Sequence, residues 1–205
     1  EVRITARLDH ENILPLRNAM MIDDLFVIAT PLGERSLTDR LHHRLGPRTA
    51  LSYAEQLIDA LAYAHEQRVI HCDIKPENFI LFPGNRVRLS DFGFARVFRG
   101  RMQASGSGTV GYVAPEQAMG DVDALDRRTD VFCLGAMLCE ILTGQPPHAG
   151  ASSREILTRA ARGVGEETWR RLDGHTQLPK LILGVKFADG LEVAVKAIRQ
   201  PQAAA

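Results

Sequence analysis

Cysteine is scarce in this chain, with Cys72, Cys133 and Cys139 the only three among 205 residues. None forms a C-x-x-C pair. A disulfide framework and a zinc site are both unexpected, and a reducing, cytoplasmic setting fits best. Net charge is lacking too. Lys+Arg and Asp+Glu each number 25, which argues against nucleic acid or an anionic membrane as the main partner. No long hydrophobic run is present. The longest, residues 131–138, is too short to span a bilayer. The start has no basic stretch ahead of an apolar core, so no signal peptide is expected, and it opens on Glu1 rather than Met, as a fragment would. A G-x-G-x-x-G phosphate loop is also missing. Gly163-Val164-Gly165 is followed by Glu166-Glu167, the wrong charge for phosphate. What is plentiful is apolar material, 45% of residues against 24% charged, enough for a packed core.

The most informative stretch is residues 70–81, I-H-C-D-I-K-P-E-N-F-I-L. Apolar flanks pin a short polar run, and chemistry is usually placed on loops held this way. The run offers a carboxylate (Asp73), an ammonium (Lys75) and an amide oxygen (Asn78). Carboxylate and amide oxygens suit Mg²⁺, and an ammonium suits phosphate. Asp91-Phe92-Gly93 follows, thirteen residues after Asn78. This order and spacing resemble the catalytic loop and metal-binding motif of protein kinases, H-x-D-x-K-P-x-N followed by D-F-G.

The resemblance implies an α+β, protein-kinase-like fold: a mostly helical large lobe with a reduced, β-rich small lobe. Residues 1–30 correspond to part of the small lobe, 31–175 to the large lobe, and 176–205 to a C-terminal hairpin. It also implies roles. His71 supports the loop. Asp73 accepts or orients the proton of a substrate hydroxyl, Lys75 neutralises the transferring phosphoryl group, and Asn78 and Asp91 hold Mg²⁺ on ATP. A Lys two residues after the Asp resembles the serine/threonine branch, in which Thr109 would help fix Asp73 and Lys75. Residues 108–116 resemble the end of an activation segment, closed by Ala114-Pro115-Glu116, with Ser105, Ser107 and Thr109 on it. The Arg that the family pairs with the position of Glu116 is not identifiable. Asp130 corresponds to the Asp that opens the central helix and bonds the catalytic-loop backbone; an ordinary N-cap is the plainer alternative, and both roles are compatible.

The small-lobe correspondences are out of order. Val193-Ala194-Val195-Lys196 resembles the strand that meets nucleotide near the start of a kinase domain, yet it comes last here. Residues 180–187 and 191–198 read as strands around Ala188-Asp189-Gly190, a favourable hairpin turn. Alternation sets Ala194 and Lys196 on one face, as contact with adenine and phosphate requires. The alternative is a surface hairpin whose lysine keeps an edge soluble. The chain is permuted, with Lys196 meeting Glu1 beside residues 25–30, or rearranged, or begins a second domain there. Glu1 stands nine residues before His10, where the family has the Glu that pairs with the strand Lys; otherwise it is a solvated glutamate. Thr30-Pro31-Leu32-Gly33 corresponds to the hinge, whose backbone at Thr30 and Leu32 meets adenine; otherwise it is a loop with a proline.

Periodicity and caps mark out the elements. Residues 1–9 read as a helix end, and 13–16 and 25–30 as strands joined at Asp23-Asp24. A short helix starts at Ser36-Leu37. Ser52-x-x-Glu55 reads as the capping box opening a longer helix. A hairpin covers 79–82 and 87–89, and 94–108 reads as loop. A buried helix starts at a Thr129-Asp130 cap, and short helices cover 154–162 and 167–172.

One substitution in the motif carries a consequence. Cys72 stands where kinases usually have the Arg that reads a phosphate on the activation segment, and a thiol cannot make those charge-assisted bonds. Little dependence on activation-segment phosphorylation is expected, with Arg96 a partial substitute. The expected activity is bacterial-type serine/threonine protein kinase, using Mg²⁺ and ATP on protein Ser/Thr hydroxyls. The alternative is a catalytically weak or inactive kinase-like binding module, favoured by the missing glycine loop.

Overall fold

A computed structural model describes residues 2–92, 96–97 and 110–173. At its centre lies α5 (Arg127–Thr143), which has buried residues on every side, among them Val131, Phe132, Leu134, Met137 and Ile141. A helix without a polar face belongs inside. Gly144 ends it in a left-handed conformation, φ 79°, which glycine adopts without a Cβ clash. Beside α5 runs α3 (Pro47–Glu66). Its buried positions, including Tyr53, Leu57, Leu61 and Ala64, recur every three or four residues and form one stripe.

Both helices start before the expected cap. α3 begins at Pro47 after Gly46, so Ser52 lies inside it. Proline sets the helical φ at the first position, where no amide partner is needed. α5 is capped by Asp126, whose side chain accepts from the Arg128 amide. Thr129 returns the bond, its hydroxyl accepting from the Asp126 amide at 3.3 Å. Asp130 is therefore not the N-cap. It sits one turn in and is turned toward other partners.

Among the described residues the strands form three small antiparallel sheets. β1 (Asn18–Ile22) pairs with β2 (Leu25–Ala29) around Asp23, φ 52°. The expected strand at 13–16 is instead a single parallel bridge from Ile13 to Leu89. Pro15 has no amide to continue a ladder, which moves the strand downstream. β3 (Arg35–Ser36), β5 (Phe79–Phe82) and β6 (Arg86–Leu89) make the second sheet, in the order β3-β5-β6. β4 (Val69–Ile70) pairs with β7 (Arg96–Val97), so two residues of the expected 94–108 loop are strand.

The shorter helices are α1 (Val2–Thr5), α2 (Leu37–Leu41), α4 (Pro115–Met119), α6 (Ser153–Ala160) and α7 (Glu166–Asp173). α1 ends well before Asp9. Three of its four residues are β-branched, and such residues favour helix weakly. α2 carries a reciprocal cap between Ser36 and Asp39. At Gly33, a Cβ would collide with Ile80 and sit 2.9 Å from the Leu81 carbonyl. That close approach lets Glu34 donate its amide to Leu81 O at 2.8 Å and ties residues 30–34 to β5.

Candidate active site

The register of β5 on β6 pairs Phe79 with Leu89. The residues just before and just after therefore leave the sheet at the same edge. Asn78 and Ser90 meet there: the Ser90 amide and hydroxyl both donate to Asn78 O, at 2.7 and 2.9 Å. Asp91 follows at φ 59°, a left-handed conformation that aspartate tolerates better than most residues. It lines a cleft with Ser90, Leu16, Ile28 and Thr30.

On the other side of that edge the loop between β4 and β5 is held from beneath. Asp130 is fully buried. Its Oδ1 accepts from the Cys72 amide at 2.7 Å, and its Oδ2 from the His71 amide at 2.8 Å. His65 Nε2 lies 2.8 Å from the same Oδ2. Cys72 takes φ 64°, and its carbonyl accepts from Gln117 Nε2 at 2.8 Å. The buried His71 ring bridges the two sides. Its Nδ1 accepts from the Asp73 amide at 3.2 Å, so Nε2 is the donor to Ser90 O at 2.9 Å. Phe92 lies against this ring, centroids 4.8 Å apart.

With its backbone fixed, the loop presents one carboxylate with two partners. Lys75 Nζ lies 2.7 Å from Asp73 Oδ2. Asn78 Nδ2 donates to the same oxygen at 3.0 Å and to Asp73 O at 2.7 Å. The Asp73 and Lys75 side chains are 24% and 18% exposed, so the group is anchored yet open on one side. Because Nδ2 of Asn78 is committed to Asp73, Oδ1 is the acceptor its amide still offers.

This donor set fits Mg²⁺ carried by a polyphosphate. The candidates are oxygen donors, the Asn78 amide and the Asp91 carboxylate. Mg²⁺ takes one or two protein ligands and fills its remaining positions with phosphate oxygens and water. Among the described residues no three His, Cys, Asp or Glu side chains form a closed metal cage.

Other expected site residues fall elsewhere. Thr30 shares the cleft with Asp91. Leu32 is 95% exposed and outside it. Glu116, for which no partner was identifiable in the sequence, accepts from the buried Thr129 hydroxyl at 2.5 Å. Glu1, Ser105, Ser107, Thr109, Ala194, Lys196 and the 176–205 hairpin lie outside the described residues.

Three supports were not singled out in the sequence: Ser90, Gln117 and the pair Tyr112–Glu140. Gln117 directly follows Ala114-Pro115-Glu116, and an amide beside an otherwise apolar segment was the available signal. The Tyr112 hydroxyl donates to Glu140. Burial pushes both groups up, and the neighbouring Glu77 carboxylate adds to each. All three cysteines are buried, and burial holds the Cys133 thiol well above its ordinary range, so it is a poor nucleophile. Among the described residues no helix is long and apolar enough to cross a membrane.

The profile of the protein kinase domain matches residues 1–180. Among curated proteins, the chain is similar to Aurora kinase C of Mus musculus, 35% identical over 162 residues, covering 78% of this chain and 58% of that one. It is similar to serine/threonine-protein kinase PrkC of Bacillus subtilis (strain 168), 32% identical over 162 residues, 76% of this chain and 25% of that one. Serine/threonine-protein kinase PknB of Mycobacterium leprae is 39% identical over 143 residues, 67% and 23%. The chain spans at most 58% of the length of these three relatives.

Proposed function

The chain belongs to the protein kinase domain family, and from that premise we propose that it transfers the γ-phosphate of Mg-ATP to serine or threonine hydroxyls of proteins. The observation that carries the reading is the Asp73 carboxylate, oriented by Lys75 and Asn78 and open on one side. Asp73 Oδ1 is the oxygen that accepts the proton of an incoming hydroxyl. Lys75, fixed beside it, offsets negative charge where the phosphoryl group passes. Asn78 and Asp91 supply oxygen ligands from adjoining positions at one sheet edge. A Mg²⁺ ion held by Asn78 and Asp91 would supply charge neutralisation for the triphosphate. Asp130 and His71 act by positioning: they hold the loop backbone so that Asp73 does not wander. Catalysis of this type consists mostly of positioning and charge neutralisation.

By resemblance, Thr30 and Leu32 present backbone to adenine, and Ala194, Lys196 and Glu1 complete the nucleotide site. The division into 1–30, 31–175 and 176–205 belongs to the same proposal. A bacterial origin is supported by the resemblance to PrkC and PknB, and a cytoplasmic setting by three cysteines kept as buried thiols.

The test incubates the full chain with Mg-ATP and a generic basic protein, alongside Asp73→Asn. Transfer should fall by about 10²–10⁴-fold in the variant. Equal transfer from both proteins would refute the assignment. No transfer from either, with no thermal shift on adding Mg-ATP, would turn the reading to a kinase-like binding module.

A further inference from the structure

The peptide unit between Cys72 and Asp73 is held at both of its polar ends. Its carbonyl, on Cys72, accepts from Gln117 Nε2 at 2.8 Å. Its amide, on Asp73, donates to His71 Nδ1 at 3.2 Å. Carbonyl and amide point in opposite directions from one rigid plane, so the plane cannot turn without lengthening one of the two bonds. That plane sets φ of Asp73, and through it the direction in which the carboxylate leaves the backbone. Cys72 needs such a restraint. Its φ of 64° is left-handed, a conformation that a cysteine keeps only where its surroundings enforce it.

We infer that Gln117 is a positioning residue for phosphoryl transfer: its side-chain N–H aims the Asp73 carboxylate by fixing the peptide plane that precedes it. The inference rests on Asp73 being the carboxylate that receives the substrate proton. The network settles which end of the Gln117 amide does this. The Ala114 amide, a donor only, lies 3.1 Å from Oε1, and the Cys133 thiol donates to the same oxygen at 3.3 Å. Oε1 is thereby the acceptor, and Nε2 is left as the donor to Cys72 O. The bond to the Ala114 amide is also the reach-back half of a capping box at the start of α4. The side chain that aims Asp73 is thus built into the helix start that follows Ala114. It ties that segment to the loop by a neutral hydrogen bond to backbone, which needs no phosphate and no charge at position 72.

Gln117→Glu isolates the one bond. Its carboxylate keeps an oxygen for the Ala114 amide and the Cys133 thiol, but it turns an acceptor instead of a donor toward Cys72 O. Near neutral pH, kcat should fall about 10- to 100-fold while KM for ATP stays within about twofold, because the change acts on the reacting carboxylate and not on nucleotide binding. Protonation gives the side chain a donor again. The ratio of variant to wild-type kcat should therefore rise at least about fivefold from about pH 8 to about pH 5.5. The titratable groups around Cys133, which touches Gln117, are Asp130, Glu116 and Cys72; wild type and variant share them, so they cancel in the ratio. Gln117→Met, of similar length and without a donor, should lose kcat with no recovery in acid.

A second measurement needs no phosphoryl transfer and decides the case should the carboxylate disturb folding. The Asp73 amide should exchange its hydrogen at least about tenfold faster in Gln117→Met than in wild type, with the amides of α5 as the folding control. Equal Asp73 exchange in the two proteins overturns the inference. So does a kcat within about twofold of wild type in both variants, or a Gln117→Glu ratio that does not change with pH. A wild type that transfers no phosphate, with Asp73 exchange still responding to Gln117, refutes the functional reading and not the restraint on the backbone.

Discussion

The Asp130 carboxylate and the Cys72 amide meet at 2.7 Å, although 58 residues separate them in the chain. The same carboxylate also takes the His71 amide. Asp130→Ala leaves two buried donors without an acceptor, at about 1–3 kcal/mol each. A total loss of roughly 2–6 kcal/mol is expected, read as a lowered urea midpoint at unchanged slope. A midpoint within experimental error of wild type would refute the anchoring role.

Lys75 makes the opposite case. Its ion pair with Asp73 is partly solvated, and such pairs contribute at most about 1 kcal/mol to stability. Lys75→Met should leave the melting temperature nearly unchanged while kcat falls about 10²-fold or more. Parallel losses of stability and rate would mean the lysine is structural.

Cys72 brings no charge to the loop. Its backbone is occupied at both ends, by Asp130 and by Gln117, and its side chain is buried. Phosphate at Ser105, Ser107 or Thr109 therefore has no arginine at this position to engage. Phosphatase-treated and untreated enzyme should agree within about threefold in kcat/KM, under about 0.7 kcal/mol. A tenfold or greater gain from phosphorylation would overturn the reading and point to Arg96.

His148 should make stability fall in mild acid. Its ring is buried, stacks on Phe132 at 6.0 Å, and leaves Nε2 without a partner. Burial lowers its pKa from the ordinary value of 6.5. The neutral form is thus favoured on folding. Its contribution is present above pH 6.5 and is lost as pH falls below that toward the folded-state value. Glu140, pushed up by burial, acts in the opposite sense, so only a comparison isolates the histidine. Between pH 7.5 and 5, His148→Phe should lose less melting temperature than wild type; equal slopes would remove His148 as the cause.

How much could be read in advance depended on sequence separation. Asp73, Lys75 and Asn78 lie within one short polar run between apolar strands, so their convergence needed only local folding. The hairpin at 79–89 was legible for the same reason. Helix starts were less so, because cap patterns recur inside helices. Ser52-x-x-Glu55 has the spacing of a cap, yet Pro47 starts α3 five residues earlier. Thr129-Asp130 looks like a cap, yet Asp126 takes that role and releases Asp130 to the loop. The Glu116–Thr129 and Tyr112–Glu140 bonds depend on packing between distant elements, which no local pattern encodes.

One side chain joins three parts of the molecule. Gln117 Oε1 accepts from the Ala114 amide at 3.1 Å and from Cys133 Sγ at 3.3 Å, while its Nε2 holds the Cys72 carbonyl. The segment ending in Ala114-Pro115-Glu116, the central helix and the loop bearing Asp73 are thus knotted at a single amide. A shift of any one strains this shared fastening together with the Glu116–Thr129 and Asp130 bonds, so a displacement at the segment's end is handed on to the reacting carboxylate rather than absorbed locally.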